Sequence, residues 1–431
     1  MSVWDDLTGQ SAAIEVFRAA AESSTRGSAT AETTEAAAAA AAGRPDSMTH
    51  SWLITGPPGS GRSNLAYAFA SALLCRNGGC GVCADCRQVA ARSHPDLAVL
   101  ATERVIISID EVRRLVSSSQ FSPSVARYRV VVIEDADRMQ ERTSNVLLKA
   151  LEEPPERTVW ILCAPSEADL LPTIRSRVRS VRLRVPSTED VAALLVKRDG
   201  VEPTVAERAA RESQSHIGMA HRLATNDDAR ARRAETLDLA LGVRSVGDAV
   251  RGAARLLEIA GADAQAITEE KDAQERASAL RSLGVEPGQA VPLALRGQIK
   301  ALEEDQKRRA TRSLRDGIDR ILTDLLSLFR DVLLVQLGAA GAPRTPGGVA
   351  AEGDAGEGIA RVVDLELVNE AIRSRILTVA EGNDSSSTLA AMDAIADARR
   401  RIAANVAPAL SLEAMLITVA EAGRRTTQRA P

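Results

Sequence analysis

Residues 51–63 constrain the fold more than any other part of the chain. SWLIT is an apolar, β-branched run of the length of a buried strand. It passes directly into Gly56, Pro57, Pro58, Gly59, Ser60, Gly61, Arg62 and Ser63, and then into the apolar helical stretch NLAYAFASALLC. The loop has the spacing G-x-x-x-x-G-K-[ST] of a phosphate-binding loop, with Arg62 where the lysine would stand. Its glycines let successive backbone N–H groups face an anion, and the helix that follows adds its N-terminal dipole. Ser63 carries the hydroxyl that would hold Mg²⁺. Arg62 is not a free exchange, because a planar guanidinium is bulkier than the compact ammonium it replaces. ATP or ADP binding geometry is therefore expected to persist while turnover suffers. The alternative is a glycine turn that binds no nucleotide.

The same alternation continues downstream. AVL and RVIIS (residues 104–108) read as short strands, IDEVRRLVSSSQF as a helix and RVVVIED as a continuous apolar strand. TSNVLLKALEE reads as a helix stopped by Pro154 and Pro155, and TVWILCA as another buried strand. Continuous apolar strands alternating with helices predict an α/β nucleotide-binding domain, a parallel sheet with helices on both faces, over residues 1–184. Residues 185–230 give only short helices and form a small helical domain, and residues 231–431 are helical by period. There Leu314, Ile318, Ile321, Leu325 and Leu328 fall on one stripe, which predicts a bundle core. Residues 21–47, rich in Ala, Ser and Thr, read as a mobile insertion, and residues 338–358 as a disordered loop.

The strand Val130–Ile133 ends in Glu134 and Asp135, where an ATPase places an Asp on the Mg²⁺ shell and then a Glu on the attacking water. Here the order is reversed, which displaces both carboxylates by a methylene, and displacements near 1 Å cost about 10²-fold in rate. Cys75, Cys80, Cys83 and Cys86 have the short spacings that aim thiolates at one centre and predict a closed, structural Zn²⁺ site over residues 75–86. Cys163 stands alone in a predicted strand and reads as core filler. An Arg-rich run follows, in which Arg177, Arg179, Arg182 and Arg184 fit an exposed strand edge. Arg177 is also placed to act as an arginine finger.

Composition excludes other classes. Aromatic residues are only 2% of the chain, too few for base-stacking platforms, and the net charge of −4 rules out a basic coat for nucleic acid. The acidic opening MSVWDDLTGQ lacks the features of a signal peptide, and no apolar run outside the Ala tract is long enough for a membrane, so a cytoplasmic protein is expected.

Together these pieces resemble the clamp-loader family of bacterial DNA polymerase III, within the AAA+ ATPases. The string Asn145–Pro155, NVLLKALEEPP, is similar to that family's N-A-L-L-K-x-L-E-E-P-P signature. Thr173–Arg177 is similar to its S-R-C motif, with Val178 in place of the cysteine. The cysteine module after the loop's helix also matches. Within the family the chain is most similar to the delta-prime branch. Besides Arg62 and the swapped Glu134 and Asp135, it has Ala164-Pro165 at the sensor 1 position, and His221 at sensor 2 with Arg222 one place late. The resemblance implies an AAA+ domain with a zinc module, a helical lid and an oligomerising collar. It implies a stator with little or no ATPase activity and no polymerase site. Such a stator would donate Arg177 in trans to a neighbouring subunit's ATP as the sliding clamp is loaded on primed DNA. Its partners would be the tau/gamma and delta subunits, the clamp and DNA. Arg113 and Arg114 would lie near DNA phosphates, or else form a solvated helix face. Two other readings stand beside this one: an active motor subunit, and a zinc nucleic-acid-binding module outside replication.

Overall fold

Five parallel strands form the centre of the first of two units. The computed structural model describes residues 2–5, 7–26, 48–102, 106–282, 296–340 and 365–427. In chain order the first unit, Met1–Ala224, contains α1 (Ser11–Arg26), β1 (Ser51–Thr55), α2 (Arg62–Leu74), α3 (Ala84–Ala90), β2 (Leu97–Leu100) and α4 (Ile109–Ser119). After these come β3 (Arg129–Ile133), α5 (Glu141–Glu152), β4 (Thr158–Ala164), α6 (Pro172–Arg175) and β5 (Arg179–Arg182). Strand order is β2-β3-β4-β1-β5.

Side chains alternate across the sheet with the strand's period of two. Trp52, Ile54, Val130, Val132, Val159 and Ile161 pack on one face with Phe17 of α1 and Leu65 and Phe69 of α2. Leu53, Val131, Ile133, Trp160 and Leu162 pack on the other with Val112 and Leu115 of α4 and Leu147 and Leu151 of α5. Phe17 lies 4.8 Å from Trp52 and 4.6 Å from Phe69, ring centre to ring centre, so three of the few aromatic residues form one core cluster. Cys163 is buried on the same face, where the sequence put it as filler.

Two expectations are corrected. The described part of RVIIS, residues 106–108, is not a strand of the sheet. Residues 103–105 lie outside the described residues, and Ile107 makes only an isolated bridge to Met139. The chain there is already turning into α4, whose N-terminus is closed by a capping box between Ser108 and Glu111. The stretch expected to be mobile from residue 21 begins as helix: α1 runs on to Arg26 because Ala21 and Ser24 are buried. The remainder, 27–47, lies outside the described residues, as does most of the loop expected at 338–358.

Three helices complete the first unit: α7 (Thr188–Asp199), α8 (Pro203–Glu212) and α9 (Ile217–Thr225). They share a small core of Val191, Leu195, Ala206, Ala210, Ala220 and Leu223. The unit ends at Ala224, and the Asn226 side chain, accepting from Ala229 N at 2.9 Å, caps the helix that follows. The second unit, Thr225–Pro431, is helical: α10 (Asp227–Gly242), α11 (Val246–Ser282), α12 (Arg296–Gln336), α13 (Arg373–Gly382), α14 (Ser385–Ala403) and α15 (Pro408–Thr427). The predicted stripe forms its core, with Ile318, Ile321, Leu325 and Leu328 buried and Leu314 at the margin. Buried Asp331 holds residues 368–369 against α12 by accepting from Asn369 N at 2.7 Å and Val368 N at 3.2 Å.

Asp96, fully buried just before β2, fixes the loop that feeds β3. It accepts from Ser124 N (2.6 Å), Ser124 Oγ (2.8 Å), Val125 N (2.8 Å) and Ala126 N (2.7 Å). Burial by itself would raise its pKa, but the N–H groups of Ala126, Ser124 and Val125 bring it down to about 2. A depressed carboxylate contributes stability above its unfolded pKa and loses it as pH falls through the folded one. Asp96→Ala strands several buried donors and should lower unfolding free energy at pH 7 by on the order of 3 kcal/mol. In urea titrations the gap to wild type should narrow between about pH 4 and pH 2; a gap independent of pH would refute the assignment.

Candidate functional site

The glycine-rich loop leaves the C-terminal end of β1 and runs into α2. Gly59 (φ 79°) and Gly61 (φ 91°) adopt the left-handed conformation that the turn requires. The backbone cradle and the helix N-terminus suit a phosphate. The side chains around it, however, are bound to one another. Arg62 folds back and donates through Nη1 to Gly56 O of its own loop. Ser63 Oγ donates to Glu134 Oε2 at 2.9 Å, and Tyr67 OH donates to Glu134 Oε1 at 2.6 Å. Arg92 Nη2 lies 3.1 Å from the same Oε1, with its guanidinium 4.9 Å from the Tyr67 ring centre. The serine and the carboxylate that would share a Mg²⁺ shell thus meet directly. Asp135 sits in the left-handed region (φ 52°), with Oδ2 3.5 Å from Arg138 Nε. Burial, reinforced by Asp135, raises the pKa of Asp137.

Pro165 O accepts from Gly56 N at 3.2 Å, so the Ala164-Pro165 step serves only as a backbone strut. His221 Nδ1 is 2.8 Å from Asp199 Oδ2 on α7. His216, ahead of α9, packs on Gly59 so closely that any side chain on Gly59 would overlap its ring. Ile217 N also donates to Gly59 O at 3.4 Å. The loop therefore keeps an anion cradle, with Arg62, Ser63 and Glu134 engaged with protein groups beside it.

The four cysteines do converge. Their sulfurs all lie within 4.8 Å of one another, with Cys75 Sγ 3.5 Å from Cys83 Sγ and 3.9 Å from Cys80 Sγ. A tetrahedral site with metal–sulfur bonds of about 2.3 Å needs sulfurs about 3.8 Å apart, so the set fits a four-thiolate metal centre. Backbone N–H groups point at the sulfurs, Asn77 N to Cys75 at 3.3 Å and Gly81 N to Cys86 at 3.3 Å. The N–H groups of Val82 and Cys83 bring the pKa of Cys80 down to about 6, which favours thiolate at neutral pH. Gly79 (φ 89°) lets the knuckle sit against Ala72 of α2 and Val3.

Arg177 stands at the other end of the sheet. It follows α6 and immediately precedes β5, whose Arg179 pairs with Trp52 near the start of β1. The glycine-rich loop leaves the far end of that strand. With strands rising about 3.3 Å per residue, the two stations are on the order of 15 Å apart along the sheet. Arg177 Nε donates to Glu152 Oε1 at 2.5 Å, Nη2 pairs with the same oxygen, and Nη1 donates to Thr173 O at 2.6 Å and Ser176 Oγ at 3.1 Å. A cleft of about 950 Å³ opens at this edge, lined among others by His50, Tyr128, Glu152 and Glu156. Arg113 and Arg114 are both exposed on α4, and Arg113 pairs with Asp110 at 3.4 Å.

Sequence reasoning missed Tyr67, Arg92, His216 and the pairing of Glu152. Tyr67 had a signal, since it lies one helical turn after Ser63 and so shares its face. The others are brought in by the tertiary fold. Burial and the bond to Glu134 raise the Tyr67 pKa well above the ordinary phenol value. A raised pKa means that the neutral phenol's contribution to stability is full below the unfolded value and is lost as pH rises from there through the folded one. In Tyr128→Phe, where Tyr67 is the remaining tyrosine, alkaline ionisation at 295 nm should coincide with loss of circular dichroism. Ionisation well before unfolding would refute the buried pairing.

Residues 36–187 match the family described as DNA polymerase III, delta subunit. A DNA polymerase III subunit delta' of Pseudomonas aeruginosa is 40% identical over 134 residues, covering 30% of this chain and 41% of that one. The subunit delta' of Escherichia coli K12 is 33% identical over 198 residues, 44% of this chain and 59% of its own. A subunit gamma/tau of Mycobacterium tuberculosis is 31% identical over 155 residues, 35% of this chain and 27% of its own. The chain thus spans less than two thirds of the length of each of these relatives. Residues 36–187 are thus similar to DNA polymerase III subunits, delta' subunits among them.

Proposed function

We propose that this chain acts as a stator in a clamp loader, presenting Arg177 to ATP held by a neighbouring subunit. The observation that carries the reading is the separation of Arg177 from the chain's own nucleotide loop by the length of the sheet. A finger on that edge has no phosphate within its own chain to stabilise and can serve only a site supplied in trans. The engagement of Arg62 with Gly56 O and of Ser63 with Glu134 supports the other half of the reading, a loop that binds nucleotide weakly and does not turn it over. Relatives named as gamma/tau and delta' subunits support partners of the same assembly; on this reading the assembly acts in the cytoplasm on a sliding clamp and primed DNA. Arg113 and Arg114 would add salt-dependent contacts to DNA phosphates. Zn²⁺ held by Cys75, Cys80, Cys83 and Cys86 would have no open position and would brace the end of α2 rather than catalyse.

In a loader reconstituted with clamp and primed DNA, Arg177→Ala should lower ATPase activity at least tenfold without loss of assembly. An unchanged rate would remove the stator reading, and steady ATP turnover by the isolated chain would favour the motor reading. Elemental analysis of the purified chain should give one zinc per molecule, and Cys83→Ala should lose the metal and melt earlier. Full stability without metal would overturn the structural zinc site.

A further inference from the structure

We infer that Glu152 is a positioning residue for Arg177. It holds the guanidinium parked against its own chain, and a phosphate on a neighbouring subunit takes the finger by competing with this carboxylate. The inference rests on the stator reading above and adds to it the group that sets the resting state of the finger.

Glu152 and Arg177 are 25 residues apart and meet only through the fold. Glu152 ends α5, where the chain is stopped by Pro154 and Pro155. A carboxylate is disfavoured in the last turn of a helix, because the exposed carbonyl groups there already carry partial negative charge. Helix stability therefore gives no reason for a glutamate at this position, whereas the cation across from it does. Arg177 presents its Nε and Nη2 edge to Glu152 Oε1 and its Nη1 corner to Thr173 O and Ser176 Oγ. The first edge is the pair of parallel donors that a guanidinium uses to grip a carboxylate or a phosphate. Glu152 thus occupies the donors that a phosphate would need, while Nη1 keeps the side chain aligned on α6.

The pair is also weak enough to exchange. Side-chain exposure is 31% for Arg177 and 45% for Glu152, so solvent reaches both partners. Exposed pairs of this kind shift equilibria by no more than about fivefold. That suffices to orient a long side chain but not to hold it against a phosphate bearing more charge.

The test has two arms. In the full-length chain with ¹⁵N-labelled arginine, the Arg177 Nε–H resonance, assigned by its loss in Arg177→Lys, should be protected from solvent exchange in wild type and unprotected in Glu152→Ala. In the reconstituted loader with clamp and primed DNA, Glu152→Ala should raise kcat/KM for ATP two- to fivefold, carried by KM. Glu152→Gln should move it in the same direction by less, and Glu152→Ala should change nothing in an Arg177→Ala background. Equal Nε–H protection in wild type and Glu152→Ala, a rise in KM, or the same change without Arg177 would each overturn the inference while leaving Arg177→Ala defective. An Arg177→Ala loader as fast as wild type would instead bring down the stator reading, and the competition with it.

Discussion

Because every strand of the sheet points the same way, each loop that follows a strand emerges at one edge and each segment that precedes a strand enters at the other. Parallel pairing therefore sorts the chemistry of this chain before any side chain is considered. Gly56–Ser63 and Glu134 come after strands and share one edge, while Arg177 comes before β5 and sits at the opposite one. Burial on both faces makes the arrangement rigid, since a one-residue slip would turn Leu53, Val131 and Trp160 from one core into the other. Asp96 adds a polar anchor at the start of β2 that holds the approach to β3, and so the placement of Glu134 at its end.

At the edge that carries the glycine-rich loop, Glu134 and Arg62 already have protein partners. Glu134 is met by Ser63, Tyr67 and Arg92, and Arg62 is spent on a carbonyl of its own loop. A ligand arriving here would have to replace these bonds, and net gains from single exchanged hydrogen bonds are only about 0.5–1.5 kcal/mol. A lysine at position 62 would reach past the loop as a point charge, whereas the arginine has donors enough to close on the loop itself. The swap of Glu134 and Asp135 is coupled to this. The longer carboxylate reaches Ser63 and Tyr67 directly, and the shorter one turns toward Arg138.

Arg177 and Glu152 are both solvent-accessible, and their partners come from two segments joined by β4. The overall charge of −4 gives no general attraction to a polyanion.

Much of this was legible in the amino-acid order. Continuous apolar runs announced β1, β3 and β4, the glycine spacing announced the loop, and the short cysteine spacings announced the convergence of four sulfurs, because each of these signals is local. RVIIS misled because in its described part only Ile107 is buried, docked on Arg138 and Met139, while Ile106 is exposed and Ser108 is already the cap of α4. Arg92, His216 and the pairing of Glu152 with Arg177 carry no local signal. The sequence by itself determined which edge of the sheet each motif would occupy, since parallel order follows from the alternation of strands and helices. Only the tertiary structure decided which charged groups meet at those edges, because a contact across 25 or more residues depends on how helices pack on the sheet rather than on periodicity.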